Sequence, residues 1–435
     1  MQSFKYKYNT NLALLLTFPT VLFGSNFHTL IDNIDTNLLI KSKQEQTKAL
    51  KKDYFSQKAN NKPTIDIELN TIRLNQTPTT TFILGNQTYT VPIGTQNNIT
   101  AQLFVSYPIF TGYAITTLID KANLNIIKNQ LETENLKRKL YLRTSTLYSK
   151  IYSLSQAIKA SQEAKISIIQ SYKKAKGLYN NGLINISNLY SIEVKQYEID
   201  SIIKNYQEQK ESLENELFYI TNTKISIKQL PKLNTTKDLN KLYNLALQYR
   251  ADLKVILTNL KIDQTDISLI KSKNYPTISL IGAYKKQGDS LTLNGNGFTN
   301  SDQSYIGINI KYNLFDAHKI KYTQEAALLK KHSREIFFND YKISIKKDLK
   351  NSLLRLDSLT YQLKTAQKQI LAAKSYYKLI KGRFENSLAS GDELSRSIAT
   401  LAQAKANKEN IKAKIFLQKS TILLLCGKEY FLKNI

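Results

Sequence analysis

The segment Tyr107-Pro108-Ile109-Phe110 occurs again as Tyr312-Asn313-Leu314-Phe315, at an offset of 205 residues (312 − 107). The same offset relates Tyr179-Asn180-Asn181-Gly182-Leu183 to Phe384-Glu385-Asn386-Ser387-Leu388. A constant offset over about 80 residues indicates two copies of one structural unit. Each copy is too long for a solenoid repeat, and its pattern changes from alternating strands to a long helical hairpin.

A pair of predicted strands opens each copy, at about 62–110 in the first and about 276–315 in the second. Apolar and polar residues alternate in these segments, which predicts strands with one apolar and one polar face. Polar loops, about 76–98 and about 285–303, are expected to join the strands of each pair. Strands of about ten residues with this pattern suit a transmembrane β-barrel. A soluble sandwich strand with one solvated face is the alternative.

A long helical hairpin follows each strand pair, at about 114–224 and about 317–430. No proline interrupts residues 114–178, and leucine and isoleucine recur there at spacings of three, four and seven, which predicts a coiled-coil seam. Roughly 65 helical residues span about 97 Å at about 1.5 Å per residue. A short turn ends each long helix, and Ser187 and Asp392 are the predicted N-caps of the returning helices.

Residues 1–25 are predicted to be a secretory signal peptide. Lys5 and Lys7 give a basic start, residues 12–23 form a short apolar run, and Phe23-Gly24-Ser25 offers a cleavage site. An ordinary buried N-terminal helix is the alternative interpretation of the same residues.

The mature chain divides into a first repeat, 26–224, with short helices ahead of its strands, and a second repeat, 225–435, which opens with linker helices. No stretch of about 18 apolar residues follows the signal peptide, so any entry into a membrane is expected through β-strands. Cys426 is the only cysteine, which excludes an intrachain disulfide.

The composition is strongly basic, with a formal net charge of +28. A basic balance is typical of proteins that bind nucleic acid or an anionic surface. Here the lysines are scattered through sequence rich in Asn, Ile and Tyr, which favours a solvated surface over a binding patch. We therefore expect no nucleic-acid partner.

No catalytic, cofactor-binding or metal-binding pattern is found in the sequence. His28, His318 and His332 are not clustered, and His318 is interpreted as a strand-to-helix junction residue close to Asp316. A protein without enzymatic activity, cofactor or metal is expected.

Four blocks of the chain resemble the outer membrane efflux protein family, the TolC-like channels, and the resemblance extends over nearly the whole mature chain. They are the proline-led strand starts, the strand-to-helix junctions, the segment opening the second repeat and the first hairpin tip: Pro63-Thr64-Ile65, Pro276-Thr277-Ile278-Ser279-Leu280, Tyr107-Pro108-Ile109-Phe110-Thr111-Gly112, Tyr312-Asn313-Leu314-Phe315-Asp316, the segment 242–253 and the segment 182–189. The resemblance implies an α+β membrane protein with a long α-helical coiled-coil barrel and a transmembrane β-barrel. Each chain would supply four strands, and a homotrimer would close the barrel.

The resemblance also implies a function and a location. Such proteins are channels in the outer membrane of Gram-negative bacteria, with a periplasmic tunnel, and serve as export ducts of tripartite efflux or type I secretion systems. The implied partners are further copies of the chain, outer membrane lipid, a periplasmic adaptor (membrane fusion) protein and an inner-membrane transporter of the RND or ABC type. Small molecules, metal ions and proteins all leave through such ducts, and the sequence does not specify the cargo.

By position in the family, the two hairpin tips are candidates for adaptor docking, through Gly182, Leu183, Ser187, Ser387, Leu388 and Asp392. A glycine at such a tip also has a purely structural explanation, because it can end a helix with a positive φ. The sequence leaves both explanations open.

The resemblance further points to a periplasmic gate. Asn188, Phe384 and Ala389 stand where better-studied members hold a linked aspartate, tyrosine and arginine, so an apolar or weaker gate is implied. Glu393 and Arg396 stand where the family has acidic rings. One ring would be acidic and one basic, so cation selectivity does not follow.

Two other classes of protein remain as alternatives. A periplasmic adaptor also has a helical hairpin, but it would need small β-domains flanking one hairpin, whereas this chain has two hairpins. A structural or nucleic-acid-binding coiled coil would fit the basic charge but leaves the signal peptide and the strand pairs unexplained.

Overall fold

The structure, a computed structural model, describes residues 27–435, so the predicted signal peptide lies outside the described residues. The helices of this region are α1 (Phe27–Asp32), α2 (Leu38–Ala59), α3 (Ala114–Asn180), α4 (Ile186–Thr221), α5 (Leu239–Tyr249), α6 (Ala251–Ser272), α7 (Lys319–Glu385), α8 (Gly391–Cys426) and α9 (Lys428–Leu432), with a short 3₁₀ helix at Asn33–Thr36. The strands are β1 (Thr64–Arg73), β2 (Thr79–Leu84), β3 (Gln87–Pro92), β4 (Asn97–Phe110), β5 (Thr277–Gly288) and β6 (Asp302–Lys311). Within residues 27–435, none of the helices is long and apolar enough to cross a membrane.

The two long helical hairpins have helices of equal length. Helices α3 and α7 each contain 67 residues, and α4 and α8 each contain 36. Helix α3 begins at residue 114 and α7 at residue 319, which repeats the sequence offset of 205 (319 − 114). The helical segments predicted at about 114–224 and 317–430 are therefore α3–α4 and α7–α8.

The chain forms two compact units, and each combines segments from both predicted repeats. Of the described residues, unit 1 comprises 27–41, Glu134–Arg250 and Ile343–Ile435, and unit 2 comprises Ser42–Thr133 and Ala251–Lys342. The helical tips lie in unit 1 and the strands in unit 2.

Unit 2 contains an antiparallel sheet with the strand order β1-β4-β5-β6. Ile67 of β1 pairs with Leu103 of β4, which pairs with Tyr284 of β5. Residues paired across a sheet share one face, and so do residues two positions apart along a strand. The resulting face is largely apolar but open to its surroundings, since Ile67 is 83 % exposed and Ile306 of β6 is 79 % exposed.

The opposite face of the sheet is mainly polar. One row across it consists of Glu68, Gln102, Lys285 and Gln303. The alternation predicted from the sequence is therefore confirmed for this sheet. In the described residues, β1 and β6 each pair along one side only, so the sheet of a single chain has two open edges.

A sharp backbone reversal joins strand to helix in both copies. Gly112 and Tyr113 precede α3 with φ of +60° and +68°, and Ala317 and His318 precede α7 with φ of +53° and +65°. A Cβ at Gly112 would lie 2.4 Å from the carbonyl oxygen of Ser272, so this position requires glycine. His318 therefore lies at a strand-to-helix junction, as the sequence predicted.

The prediction of a polar loop at about 76–98 is wrong in part, because these residues contain the β2–β3 hairpin. Its strands are rich in threonine, so they lack the apolar alternation by which the other strands were recognised. The matching connection between β5 and β6, residues 289–301, has bends, turns and one isolated β-bridge but no strand.

Helix α1 is packed into the core of unit 1. Phe27 makes edge-to-face contacts with Tyr148, Phe416 and Phe431, with ring centroids 5.0, 5.4 and 6.3 Å away. The Tyr148 hydroxyl donates to the carbonyl oxygen of Gln229 at 2.8 Å, and burial raises the pKa of Tyr148 to about 12. This aromatic cluster joins the first described helix to the last helices of the chain.

Candidate functional site

The first tip, residues 181–185, connects α3 to α4 in unit 1. The Gly182 N–H donates to the carbonyl oxygen of Tyr179 at 2.9 Å, and the Leu183 N–H donates to that of Leu178 at 2.9 Å. Together with a φ of +70° at Gly182, these bonds form the Schellman motif that ends many helices. Gly182 therefore ends α3 with a positive φ, which is the structural explanation given above for a glycine at this tip. The same turn leaves the Leu183 side chain 58 % exposed.

The second tip, residues 386–390, repeats this geometry between α7 and α8. The Ser387 N–H donates to the carbonyl oxygen of Phe384 at 3.0 Å, and the Leu388 N–H donates to that of Arg383 at 2.7 Å. Ser387 has a φ of +60°, so a residue with a side chain adopts the left-handed conformation that glycine adopts in the first tip. Leu388 is 68 % exposed and is the counterpart of Leu183.

The N-caps of the returning helices are not the residues predicted. Asn185 caps α4, and its side chain accepts from the Ser187 N–H at 3.4 Å. Ser390 caps α8 through a capping box, in which Ser390 and Glu393 exchange two hydrogen bonds of 3.1 Å. Ser187 and Asp392 lie inside the first turns. The Ser-x-x-Glu pattern was the sequence signal that could have identified Ser390.

Asn188, one of the gate candidates, links the two returning helices. Its side-chain oxygen accepts from the Gly391 N–H at 2.8 Å. A Cβ at Gly391 would lie 2.5 Å from the carbonyl oxygen of Asn188 and 3.0 Å from the Ile192 side chain. The first turns of α4 and α8 therefore touch backbone to backbone, and sequence reasoning did not identify Gly391 as part of this contact.

Phe384, the second gate candidate, is buried beneath the tips. It is 1 % exposed and belongs to a cluster contributed by all four long helices, which we call the tip core: Ala164, Ile168, Ala175, Leu189, Ile192, Ile199, Ile203, Ile380, Phe384, Leu394 and Ile398. Ala389, the third candidate, is half-buried and packs against this core. In this conformation Phe384 contacts the chain's own helices, so it supports the tips from within.

The two candidate ring residues are engaged locally on α8. The Glu393 carboxylate is held in the capping box, and Arg396 donates to Asp392 at 2.8 Å, one helical turn away. The Arg396–Asp392 pair is largely exposed, so it contributes at most about 0.5 kcal/mol to helix stability. The three charges therefore partly neutralise one another at the start of α8.

The two tips present exposed side chains on hydrogen-bonded turns. Among residues 27–435, no group of three or more His, Cys, Asp or Glu side chains is arranged to hold a metal ion. The exposed residues of the tips include two leucines, Leu183 and Leu388, and exposed apolar side chains on hydrogen-bonded turns are suited to binding another protein.

Comparison with known families gives one match. The family described as Outer membrane efflux protein matches residues 242–427, a range that begins within α5, ends just after α8 and includes the strands β5 and β6. No curated protein sequence matches the chain.

Several solved structures have a similar fold. A crystal structure of CusC matches with a TM-score of 0.75 and 14 % identity, covering 94 % of this chain and 93 % of CusC. The Campylobacter jejuni CmeC outer membrane channel matches with a TM-score of 0.75 and 15 % identity, covering 93 % of this chain and 86 % of CmeC. A membrane protein from Pseudomonas aeruginosa matches with a TM-score of 0.76 and 15 % identity, covering 98 % of this chain and 97 % of that protein.

These identities are low, so the structural matches establish the fold alone. They extend over both predicted repeats, whereas the family match lies entirely within the second. The resemblance predicted from the sequence is confirmed: the chain matches the outer membrane efflux protein family over residues 242–427 and has the fold of the TolC-like channels over nearly its whole length.

Proposed function

We propose that this protein is the outer membrane channel of a tripartite efflux or type I secretion system. The observation that carries the proposal is the exposed apolar face of the sheet in unit 2, opposite a polar face. In water such a face would be a liability, whereas in a bilayer it contacts lipid and the polar face lines an aqueous passage. The match to the efflux family and the channel fold support the same assignment.

The open sheet edges support assembly into a closed barrel. Unpaired backbone groups are not tolerated in the hydrocarbon region, so β1 and β6 must find partners. Pairing of β1 of one copy with β6 of the next, in a homotrimer, would give twelve strands and satisfy both edges. The long helices of the three copies would then continue as a tunnel in the periplasm.

The hairpin tips would bind a periplasmic adaptor, which connects the duct to an inner-membrane transporter. Exposed Leu183 and Leu388 on matching capped turns support this docking role. The gate would depend on the Asn188–Gly391 contact and on packing around Phe384 and Ala389, with Glu393 and Arg396 close to the opening. The duct itself performs no chemistry, and its cargo is selected mainly by the transporter and the adaptor.

Electron microscopy of the full-length protein, extracted from the outer membrane in detergent, tests the assembly. We expect threefold particles that contain a β-barrel, whereas a soluble monomer would contradict the proposal.

A matched pair of variants tests the lipid face: Ile67→Lys places a charge on the apolar face, and Asn70→Lys places one on the polar face of the same strand. A cation on the lipid face costs about 2–4 kcal/mol at the bilayer centre, so only Ile67→Lys is expected to reduce the yield of inserted trimer. Equal yields would argue against lipid contact.

A further inference from the structure

The β2–β3 hairpin has no role in the proposed barrel, tunnel or docking tips. It is inserted between β1 and β4, and the matching position in the second copy, residues 289–301, has bends, turns and one isolated β-bridge but no strand. Because β4 leads into α3 at its C-terminal end, the hairpin lies at the opposite end of the sheet from that junction. In the proposed duct this end is the external mouth.

The two faces of this hairpin differ. On one face Phe82 stacks on Tyr89, with ring centroids 5.7 Å apart and an interplanar angle of 20°. The pairs Thr80–Val91 and Leu84–Gln87 complete this apolar hairpin face, while threonines dominate the other side. Phe82 is 48 % exposed and Leu84 is 69 % exposed. A lone two-stranded hairpin is only marginally stable in water, so a partner for this face would stabilise it.

The lack of charged residues around the β2–β3 hairpin indicates which partner suits its apolar face. Residues 74–119 contain no Asp, Glu, Lys, Arg or His, although the chain has a net charge of +28. An anionic lipid surface attracts lysine and arginine, and a charged protein partner is usually met by opposite charges. Copies of a strongly basic chain repel one another, except where their surfaces are neutral. A neutral apolar face therefore fits best against another copy of itself.

We propose that the apolar hairpin faces of neighbouring copies pack against one another around the threefold axis, at the external mouth of the duct. The proposal rests on the proposed function, because the trimer brings the three hairpins together. Each hairpin follows directly after β1, an edge strand that would pair with the next copy. The uncharged hairpin edges also lack the lysines that commonly protect free strands, which is consistent with their being covered.

Disulfide cross-linking of the full-length trimer tests this contact. Leu84→Cys places a thiol on the apolar hairpin face, and Leu291→Cys is the matched control, on the exposed turn that takes the same place in the second copy. The native Cys426 does not interfere, because it is buried, its Sγ lies 3.4 Å from the carbonyl oxygen of Leu242, and burial raises the pKa of its thiol to about 12.

With copper phenanthroline as oxidant, Leu84→Cys is expected to give mostly disulfide-linked dimers, since two of the three thiols in a trimer can pair. Leu291→Cys should remain monomeric on a denaturing, non-reducing gel. Absence of dimers from Leu84→Cys, or equal dimer yields from both variants, would overturn the proposal.

A second measurement separates lipid contact from contact between copies. A fluorophore attached at Leu84→Cys, in nanodiscs, should be insensitive to brominated lipid. Strong quenching without cross-linking would assign the hairpin to lipid and overturn the proposal. If the wild-type protein is trimeric and supports export but Leu84→Cys does not cross-link, only the hairpin proposal fails. If the wild-type protein is not trimeric, the duct proposal fails.

Discussion

At the residue scale, the two tips differ at the position that follows each long helix. Gly182 and Ser387 both have positive φ, but only glycine adopts this conformation without steric cost. A residue with a side chain in this conformation lowers the free energy of unfolding by about 1 kcal/mol. The second tip already includes this cost, because Ser387 has a side chain. At this position, adding a side chain is therefore expected to destabilise the first tip, where glycine is the native residue.

A matched pair of glycine substitutions tests this conclusion. Gly182→Ala should destabilise the protein by about 1 kcal/mol, although the space around this Cα is open. Gly177→Ala, five residues earlier and inside α3, should stabilise it by about 1 kcal/mol, because alanine is the better helix former. Thermal unfolding followed by circular dichroism should shift in opposite directions. Shifts of the same sign would show that the backbone conformation of Gly182 is not the cause.

The sequence predicts the position of the two tips correctly but not the residues that cap the returning helices. The tips were located by their repeated sequence, and the positive φ of Gly182 was one of the two explanations given for it. The caps were misplaced, because Ser, Asn and Asp are all good N-caps and several of them stand close together in each tip. Only the backbone path selects Asn185 and Ser390 among them.

At the element scale, the tip core packs the ends of α3 and α7 against the starts of α4 and α8. Phe384 is the largest side chain buried there, and it was predicted only as a gate residue. Its neighbours come from helices that are far apart in sequence, so no local pattern could have revealed its burial. Strand alternation, by contrast, is local, and it was recognised correctly for the four-stranded sheet but missed for the threonine-rich β2–β3 hairpin.

Phe384→Ala tests packing and gating together. Removing a buried phenylalanine leaves a cavity and costs about 3–5 kcal/mol, so the melting temperature should fall. If the packing also holds the gate shut, single-channel conductance in planar bilayers should rise. Leu388→Ala is the control, since this exposed side chain should change stability by less than about 0.5 kcal/mol. Loss of stability with unchanged conductance would limit Phe384 to a packing role.

At the scale of the whole molecule, three of the exposed apolar surfaces within residues 27–435 have proposed partners. One is the face of the four-stranded sheet, another is the apolar hairpin face, and the third consists of the leucines at the two tips. Lipid, a second copy and an adaptor are the respective partners proposed for them. Each assignment follows from the surroundings of the surface: a sheet with open edges, a neutral hairpin, and rigid turns at the ends of helices.

The adaptor assignment leads to the last prediction. Leu183→Asp and Leu388→Asp together would put two carboxylates on the tips without altering the left-handed residues that shape the turns. Burying unpaired carboxylates against an apolar partner is costly, so adaptor binding and export should be lost. The trimer should still form, because both side chains are exposed and their backbone bonds remain.

The matched control is Leu291→Asp, which places the same charge on an exposed loop leucine far from the tips in sequence. It should leave both trimer formation and export unchanged. Gly182→Glu would be harder to interpret, because its φ of +70° strains any side chain and mixes a structural effect with a binding effect. Export by cells that carry the double leucine variant, with normal amounts of trimer, would show that the adaptor does not bind these leucines. Docking would then have to involve the sides of the helices, where apolar residues such as Tyr197 and Leu379 are also exposed.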